Sequence, residues 1–543
     1  MTFGHNCAMP LTYELHSKEV EVIQMINIIG AGLAGLSAAL TLAENGIKCR
    51  LISAQQSERA QSVLAEGGIN AALNTMGEND TPELHFEETL KGGCYLADPN
   101  AVEALTQSAP AVVKKLAFLG VPFNRNANGS IMLRSFGGQK KKRTAFAQSS
   151  TGKMIMTALI DEVRKYEAQG LVTRFPHHTF VRLIVENGSC TGVCVCDDND
   201  KKLYGLRGSV IMCSGGLNGF FPGITTGTVT NIGNAASVLF AQGVKFANLE
   251  MIQYHPTTFA ISGKRCLVSE AARGEGGRLF SERDGKRSYF MEERYPELGN
   301  LMPRDVISRE MFRELQSSAD TFLDMTGINA AVWRGKLSDL RSEIMHYLAI
   351  DPAKKPVPVQ PAIHYFMGGI YVNERHESSI KGLYAAGECA CQYHGANRLG
   401  GNSLLGAICG GITAARNVTS DNSDVTEAYN SSDPFASAPS PIFVKKTGAV
   451  LSHGLGIIRN ESELQKALNE LNAVKCENAV ELARREFAAA MLMSALERKE
   501  SRGAHYREDF PETKEKYRRT TVSVYENDRV NVSFEDIPER RNE

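Results

Sequence analysis

Side chains that could bind anions or move protons are concentrated between residues 250 and 400 of this 543-residue chain. In chain order they are His255, Ser269, Glu270, Arg273, Arg304, His364 and Arg398. Taken singly, each has an ordinary structural explanation, such as a buried histidine or an arginine paired with a nearby acid. Together they supply donors suited to anionic oxygens, and arginine binds carboxylates bidentately. The set favours a site for a small dicarboxylate, in which one arginine holds a carboxylate and another faces the reacting carbon.

The elements that must position these side chains begin with a predicted βαβ unit over residues 22–53. An apolar run to Ile29 predicts a buried strand, a GxGxxG spacing follows, and a helix closed by Gly46 leads to a second strand, 48–53. Glycines at this spacing let backbone N–H groups approach a pyrophosphate at the helix N-terminus. The predicted contacts here are Gly30, Ala31, Gly32, Leu33, Ala34 and Gly35.

Further glycine-rich segments indicate that the nucleotide is FAD. The second strand ends at Ser53, where an acidic residue is typical of NAD sites, and glycine-rich patches recur at 62–73, 210–220 and 382–390. A nucleotide contacted from residue 30 to residue 405 must be long, which fits FAD better than NAD. The additional predicted contacts are Ser53, Ser62, Ala65, Glu66, Gly67, Gly68, Glu388, Ser403 and Leu404.

The order of these patterns predicts an α/β fold with several domains. We expect a Rossmann-like FAD-binding domain in two parts, 23–245 and 359–432, interrupted by an α+β capping domain, 246–358. Apolar residues at helical spacing predict a C-terminal helical domain, 433–512. The remaining residues, 513–543, are polar and charged, and we expect a poorly packed tail.

Composition excludes some classes of function. Lys and Arg number 60 and Asp and Glu 61, and this balance argues against a nucleic-acid binder. The 12 cysteines are scattered without metal-ligand spacing, so we predict no metal site and no iron–sulfur cluster. Electrons must then come from another protein or a diffusible carrier. Residues 1–22 lack a signal-peptide pattern and no apolar run is long enough for a membrane span, so we expect a cytoplasmic protein.

Ten ordered motifs between residues 25 and 512 resemble those of the flavoprotein subunits of succinate dehydrogenase and fumarate reductase, and of their relative L-aspartate oxidase. The motifs are GAGLAGLSAAL, AEGGINAAL, SFGG, QYHPT, SEAARGEGG, PRDVISR, HYFMGGI, AAGE, HGANRLGGNSLL and SRGAHYREDFP. The resemblance implies that flavin N5 passes a hydride to one carbon of fumarate while Arg304 protonates the other. It also implies that Glu270 and Arg273 relay that proton.

The resemblance assigns the remaining site residues to the substrate. Arg398 would clamp a carboxylate, and His255 and His364 would bind carboxylate oxygens. Ser269 stands where the family usually has threonine. Phe136 matches the succinate and fumarate enzymes, whereas aspartate oxidases tend to have glutamate there.

Three further positions, at two of which the chain departs from the family pattern, refine the expected activity. Gln61 occupies the place of the histidine that links FAD covalently in the respiratory enzymes, so FAD should be noncovalent, which favours fumarate reduction over succinate oxidation. Glu66 matches fumarate reductases, where dehydrogenases tend to have glutamine. Ile232 replaces an aspartate that contacts FAD in the family, which puts that contact in doubt.

Several alternatives stay open at this stage. The chain could oxidise L-aspartate, reduce another unsaturated carboxylate if Ser269 loosens the pocket, or serve as a flavin-bearing electron-transfer or scaffold subunit without its own substrate. Family members often dock on an iron–sulfur subunit that is itself bound to a membrane anchor. Such a partner would place the chain peripherally on the cytoplasmic face of the inner membrane.

Overall fold

The computed structural model describes residues 25–228, 230–419 and 433–541, and the backbone of the short strand 426–428. The predicted absence of a signal peptide concerns residues 1–22, which lie outside the described residues. The ends of the predicted FAD-binding segments, 23–24 and most of 420–432, also lie outside them.

The helices are α1 Leu33–Glu44, α2 Pro82–Gly92, α3 Pro99–Phe118, α4 Thr151–Ala168, α5 Asn234–Ala241, α6 Ala271–Gly274, α7 Phe290–Arg294, α8 Arg304–Gln316, α9 Ala330–Arg334, α10 Ser338–Leu348, α11 Asn402–Asn417, α12 Pro441–Gly454, α13 Glu461–Asn472 and α14 Ala479–Glu497. The strands are β1 Met25–Ile29, β2 Lys48–Ser53, β3 Ile69–Asn70, β4 Leu133–Arg134, β5 Thr144–Ala145, β6 Val172–Pro176, β7 His178–Glu186, β8 Ser189–Asp197, β9 Leu203–Arg207, β10 Ser209–Met212, β11 Phe246–Ala247, β12 Ile252–Ile261, β13 Lys264–Leu267, β14 Arg278–Arg283, β15 Lys286–Ser288, β16 Asp320–Asp324, β17 Val357–Pro358, β18 Gln360–Phe366, β19 Gly369–Tyr371, β20 Leu383–Ala385, β21 Ala390–Cys391, β22 Thr426–Ala428, β23 Arg519–Glu526 and β24 Arg529–Asp536.

A five-stranded parallel sheet, in the order β20-β10-β1-β2-β6, forms the centre of the nucleotide-binding domain. All five residues of β1 are buried, as expected for a central parallel strand covered on both faces. Gly30 turns the chain from β1 towards α1 with φ +114°. A Cβ at Gly35 would lie 1.8 Å from the Gly30 carbonyl oxygen, so only glycine lets α1 pack against this turn.

The predicted cap has a hydrophobic core of its own. Its core includes Ile307 and Met311 of α8, Leu323 of β16, Trp333 of α9 and Val357 of β17. The cap is joined to the nucleotide-binding part through a three-stranded sheet, β13-β12-β18, because β12 pairs with β18 across the predicted boundary at 358. This continuous sheet carries His255 on β12 and His364 on β18.

The C-terminal helices form where the sequence predicts them. Asn460 and Asn478 each precede a helix and accept a hydrogen bond from the backbone N–H three residues later, which satisfies a donor that the helix leaves free. Helix α14 packs against α5, next to the nucleotide-binding domain. No helix among the described residues is long and apolar enough to cross a membrane.

The expectation of a poorly packed tail after residue 512 is wrong. Strand β23 pairs with β11 on one side and with β24 on the other, within a five-stranded sheet. Asn527 and Asp528 join the last two strands with φ values of +52° and +58°, as a two-residue hairpin turn requires. The segment looks polar because β24 exposes alternate side chains such as Arg529 and Asn531, while half of β23 is buried.

Candidate active site

A single cavity of about 770 Å³ brings together nearly all the residues that the sequence singles out. It runs from the β1–α1 turn to the underside of the cap, and clefts of this size are typical of ligand sites. The predicted residues that line it are Gly30, Ala31, Gly32, Leu33, Ala34, Ser53, Ser62, Ala65, Glu66, Gly67, Gly68, Phe136, His255, Ser269, Glu270, Arg304, His364, Glu388, Arg398, Ser403 and Leu404.

Two predicted residues do not line the cavity. Gly35 was expected to contact the cofactor, but it instead allows α1 to pack on the turn at Gly30. Arg273 lies behind Glu270, with Nη2 3.5 Å from Glu270 Oε1 and Nη1 donating to the Asn300 carbonyl oxygen at 2.7 Å. Its position suits a role that acts through Glu270.

The nucleotide end of the cavity has the features that a dinucleotide needs. The N-terminus of α1 borders the cavity, and the N-cap residue Gly32 provides no side-chain acceptor for the first N–H groups of the helix. The Leu33 N–H donates to Ser62 Oγ at 3.3 Å. The helix dipole and the other N–H groups of the first turn suit a pyrophosphate, so the residues present fit FAD.

Gln61 lines the cavity and is held in place by the backbone. Its Oε1 accepts a hydrogen bond from the Thr228 N–H at 2.6 Å. Ile232 also lines the cavity, so the position where the resemblance predicts an aspartate offers only an apolar side chain. Burial, together with the negative charges of Glu343 and Asp339, raises the pKa of Glu66 well above its ordinary value, although Arg134 opposes the shift.

Two guanidinium groups meet beneath the cap. Arg304 Nη1 and Arg398 Nη2 both donate to Oε1 of Gln253, each at 3.1 Å. The amide nitrogen of Gln253 donates to the Arg398 carbonyl oxygen at 2.8 Å, so this glutamine fixes the backbone and the side chain of the same arginine. Burial and the nearby charge of Arg304 lower the pKa of Arg398 to about 9.

The two histidines lie on neighbouring strands with ring centroids 5.1 Å apart. His364 Nδ1 is 2.8 Å from the hydroxyl of Thr226, whereas His255 Nε2 is buried and meets no partner among the described residues. Burial, reinforced by Arg304, lowers the pKa of both rings well below the ordinary value, so both are neutral near pH 7. They can therefore donate to or accept from a ligand without adding charge.

Glu270 links Arg304 to the protein interior. Its Oε2 accepts from Arg304 Nε at 2.9 Å and from Nη2 at 2.5 Å, and its Oε1 accepts from the Gly137 N–H at 3.0 Å. Burial alone would raise the pKa of Glu270, but the charges of Arg304 and Arg273 and these hydrogen bonds outweigh it and bring the pKa below its ordinary value. Glu270 is therefore an anion next to Arg304.

Sequence reasoning missed several residues of this site. Gln253 lies within the QYHPT motif, and Tyr365, whose ring is 4.4 Å from the guanidinium carbon of Arg398, lies within HYFMGGI. The motifs were the available signal, but they do not tell which member faces the arginines. At the opposite end of the cavity, Thr179, Asp198 and Phe435 also line the wall, and no pattern in the sequence marks them.

Two family models match the chain, and together they cover most of it. A family model described as FAD binding domain matches residues 26–404. A second model, described as fumarate reductase flavoprotein C-term, matches residues 475–541, which include α14 and the hairpin of β23 and β24.

Individual relatives cover nearly the whole chain. The chain is 35% identical to the succinate dehydrogenase flavoprotein subunit of Bacillus subtilis, over 92% of this chain and 94% of that protein. It is 34% identical to the L-aspartate oxidase of Agrobacterium fabrum, over 94% of this chain and 95% of that protein. Its fold matches the quinol fumarate reductase subunit FrdA of E. coli with a TM-score of 0.83, 26% identity, and coverage of 95% and 97% of the two chains.

Proposed function

The chain belongs to the family of succinate dehydrogenase and fumarate reductase flavoprotein subunits, which are FAD-dependent oxidoreductases, and we propose that within this family it reduces fumarate to succinate. The observation that supports a dicarboxylate substrate is the pair of guanidinium groups that converge on Gln253, with His255 and His364 beside them. A four-carbon dicarboxylate offers one anionic group to each side of such a set.

Binding falls to Arg398 and the two histidines. Arg398 has a buried Nε without an acceptor among the described residues, and a substrate carboxylate would supply one. His255 Nε2, also buried and without a partner among those residues, would bind a second oxygen. A buried donor without an acceptor costs about 1–3 kcal/mol, and a ligand that supplies the acceptor recovers that free energy.

Proton transfer falls to Arg304. When bound, FAD supplies the hydride for the double bond. Arg304 then donates a proton to the neighbouring carbon, which becomes basic as negative charge builds on it. Because the pKa of arginine in water is above 12, this transfer needs a strongly basic acceptor and a replacement proton. Glu270 and Arg273, which form a chain of contacts behind Arg304, return that proton.

A noncovalent cofactor follows from Gln61. An amide side chain cannot form the bond to the flavin that a histidine forms, and Gln61 is occupied by its hydrogen bond from Thr228. In this proposal the absence of the link favours fumarate reduction. Acid precipitation of the purified protein should release all of the flavin into the supernatant, and flavin retained in the pellet would contradict this part.

Oxidation of L-aspartate is a second candidate, because an L-aspartate oxidase is among the relatives. The Phe136 ring argues against it. A Cβ at Gly67 would lie 3.0 Å from this ring, so the ring lies close to the cavity wall and offers no acceptor to a substrate ammonium. Reduction of another unsaturated dicarboxylate would use the same residues as reduction of fumarate.

Electrons would come from a partner. The structural relatives include a quinol fumarate reductase, and we propose that an iron–sulfur protein supplies electrons to this chain. Such docking would make the chain peripheral at a membrane surface.

The test is anaerobic turnover of the purified, FAD-loaded protein with reduced viologen as electron donor. Fumarate should be consumed and succinate should form in equal amount. Protein with full FAD occupancy that leaves fumarate unchanged would contradict the proposal. In separate assays without viologen, peroxide formed from O2 on addition of L-aspartate, or succinate formed anaerobically from fumarate only when L-aspartate is added as the electron donor, would favour the second candidate.

A further inference from the structure

Arg484, a buried arginine of the C-terminal helical domain, lies behind the nucleotide-binding end of the cavity. It belongs to α14 and its exposed fraction is 0%. Burial lowers its pKa to about 9, and no charged group among the described residues compensates it. A charge removed from water in this way is costly, so its contacts must account for its presence.

The guanidinium of Arg484 joins two loops of the FAD-binding domain. Its Nη1 donates to the carbonyl oxygen of Ile232, and its Nη2 donates to that of Gly219 at 2.8 Å. The N–H of Gly219 donates to the Asn231 carbonyl oxygen at 3.0 Å, which ties the same two loops together a second time. The two bonds of Arg484 each span more than 250 residues of sequence.

The two loops joined by Arg484 pack closely against each other. A Cβ at Gly219 would lie 2.3 Å from the Asn231 carbonyl oxygen, and a Cβ at Gly233 would lie 2.3 Å from the Phe220 ring. The guanidinium carbon of Arg484 is 3.9 Å from the centroid of that ring. Phe220 therefore contacts both Gly233 and the arginine, and it links Arg484 to the segment that contains Gly233.

The opposite face of the segment 231–234 borders the cavity. Asn231, Ile232 and Asn234 line it, and α5 begins at Asn234. Asn234 Oδ1 is buried and has no donor among the described residues. Asn231 Nδ2 donates to the carbonyl oxygens of Ser214 and Gly216, both at 2.8 Å, and these two residues also line the cavity.

We propose that Arg484 is a positioning residue for FAD, which holds the segment 231–234 against the loop 217–221 so that Asn234 and its neighbours meet the cofactor. Because Ile232 contributes no polar side chain and the Asn231 amide is engaged by Ser214, Gly216 and Gly233, the contact of this segment with FAD depends on the backbone and on Asn234. The position of those groups is set from behind by Arg484. The inference rests on the FAD-binding domain and not on the proposed substrate.

The test measures the rate at which FAD leaves the purified holoenzyme on dilution, followed by the recovery of flavin fluorescence and without any substrate. Arg484→Met should release FAD at least tenfold faster, and Arg484→Lys several-fold faster because an ammonium reaches one carbonyl at a time. Arg485→Met is the matched control, since Arg485 is paired with Glu486 at 2.7 Å and does not line the cavity. It should stay within twofold of the wild type.

A double-mutant cycle with Asn234→Ala separates positioning from general destabilisation. If Arg484 acts through the segment 231–234, the two substitutions together should accelerate release by clearly less than the product of their single effects. A multiplicative effect, wild-type release in Arg484→Met, or equal acceleration in Arg485→Met would overturn the proposal. If Arg484→Met retains no FAD through purification, Arg484→Lys decides: faster release supports the proposal and wild-type release overturns it.

Discussion

Arg398, beside the cavity, and Arg498, between the helical domain and the C-terminal sheet, are both buried, but the protein satisfies them very differently. Arg498 donates through Nε to Glu250 at 2.6 Å, through Nη1 to Glu500 at 3.2 Å, and through its other N–H groups to backbone oxygens. Arg398 has one side-chain hydrogen bond, to Gln253, and its Nε has no acceptor among the described residues. In this pair, the arginine that the fold satisfies belongs to the core, whereas the arginine with an open Nε lines the cavity, where a ligand would supply the acceptor.

Two buried histidines repeat the contrast. His505, near Arg498, has both ring nitrogens engaged: Nδ1 is 2.9 Å from Arg459 Nη1 and Nε2 is 3.1 Å from the Arg498 carbonyl oxygen. His255 in the cavity leaves Nε2 open among the described residues. Both rings have lowered pKa values because of burial, so burial does not distinguish them and hydrogen-bond completeness does.

Loss of the proton donor should have the largest effect. Arg304→Gln should lower kcat for fumarate reduction by about 10³-fold or more while FAD remains bound, because general acid catalysis contributes up to about 10⁴-fold. Steady-state assays with reduced viologen would measure it. Arg309→Gln, on the same helix with its guanidinium 4.6 Å from the Tyr506 ring, is the control and should retain activity. Near-normal turnover in Arg304→Gln would show that another group donates the proton.

Loss of Arg498, whose hydrogen bonds are made within the fold, should affect stability. Arg498→Met should lower the free energy of unfolding by about 3–5 kcal/mol, because it leaves Glu250 and Glu500 buried without their partner. Urea unfolding measures the change. The folded fraction should bind fumarate with an unchanged KM. A variant of normal stability would show that this network contributes little to the core.

Loss of Arg398, whose Nε is open for a ligand, should affect binding. Arg398→Gln should raise the KM for fumarate by about 10- to 100-fold, the equivalent of one charged hydrogen bond. The stability of the ligand-free protein should be unchanged or higher, because a poorly satisfied buried charge is removed. Steady-state kinetics and thermal unfolding measure the two effects. Strong destabilisation with an unchanged KM would place Arg398 in the same class as Arg498.

The last expected effect is spread over several pH units and concerns Glu388, whose pKa burial raises to about 7, although the Phe366 N–H and Arg398 oppose the shift. A carboxyl raised on folding contributes stability that is present below its unfolded pKa, near 4.5, and is lost as the pH rises through about 7. The loss is at most about 3 kcal/mol. Unfolding of the FAD-free protein between pH 4.5 and 8 should show this slope, and Glu388→Gln should flatten it. Equal slopes in both proteins would contradict the assignment.

The nucleotide-binding unit could be predicted because its signal is local. The turn at Gly30 and the packing at Gly35 depend on residues close in sequence, and burial on both faces makes β1 apolar except at Asn27. The hairpin of β23 and β24 also carried a local signal, alternating residues around Asn527 and Asp528. Its polar outer face hides this signal, because the composition of the segment is typical of a surface tail although its alternation is typical of strands.

The residues that sequence reasoning missed depend on contacts between distant parts of the chain. Gln253 is a site residue because Arg304 and Arg398, 51 and 145 positions away, converge on its amide oxygen. Arg484 reaches Ile232 across 252 positions. Residue type and spacing cannot predict such long-range contacts, since the contacts arise only when separate elements pack together.

The central claim is that the open donors beneath the cap bind two carboxylates of one ligand, and the most direct measurement compares malonate with propionate. Both acids have three carbons, neither is expected to be oxidised here, and they differ by one carboxylate. Titration calorimetry of the FAD-loaded protein should show malonate binding at least tenfold tighter than propionate, with the advantage largely lost in Arg398→Gln. Equal affinity for the two acids in the wild-type protein would contradict the account.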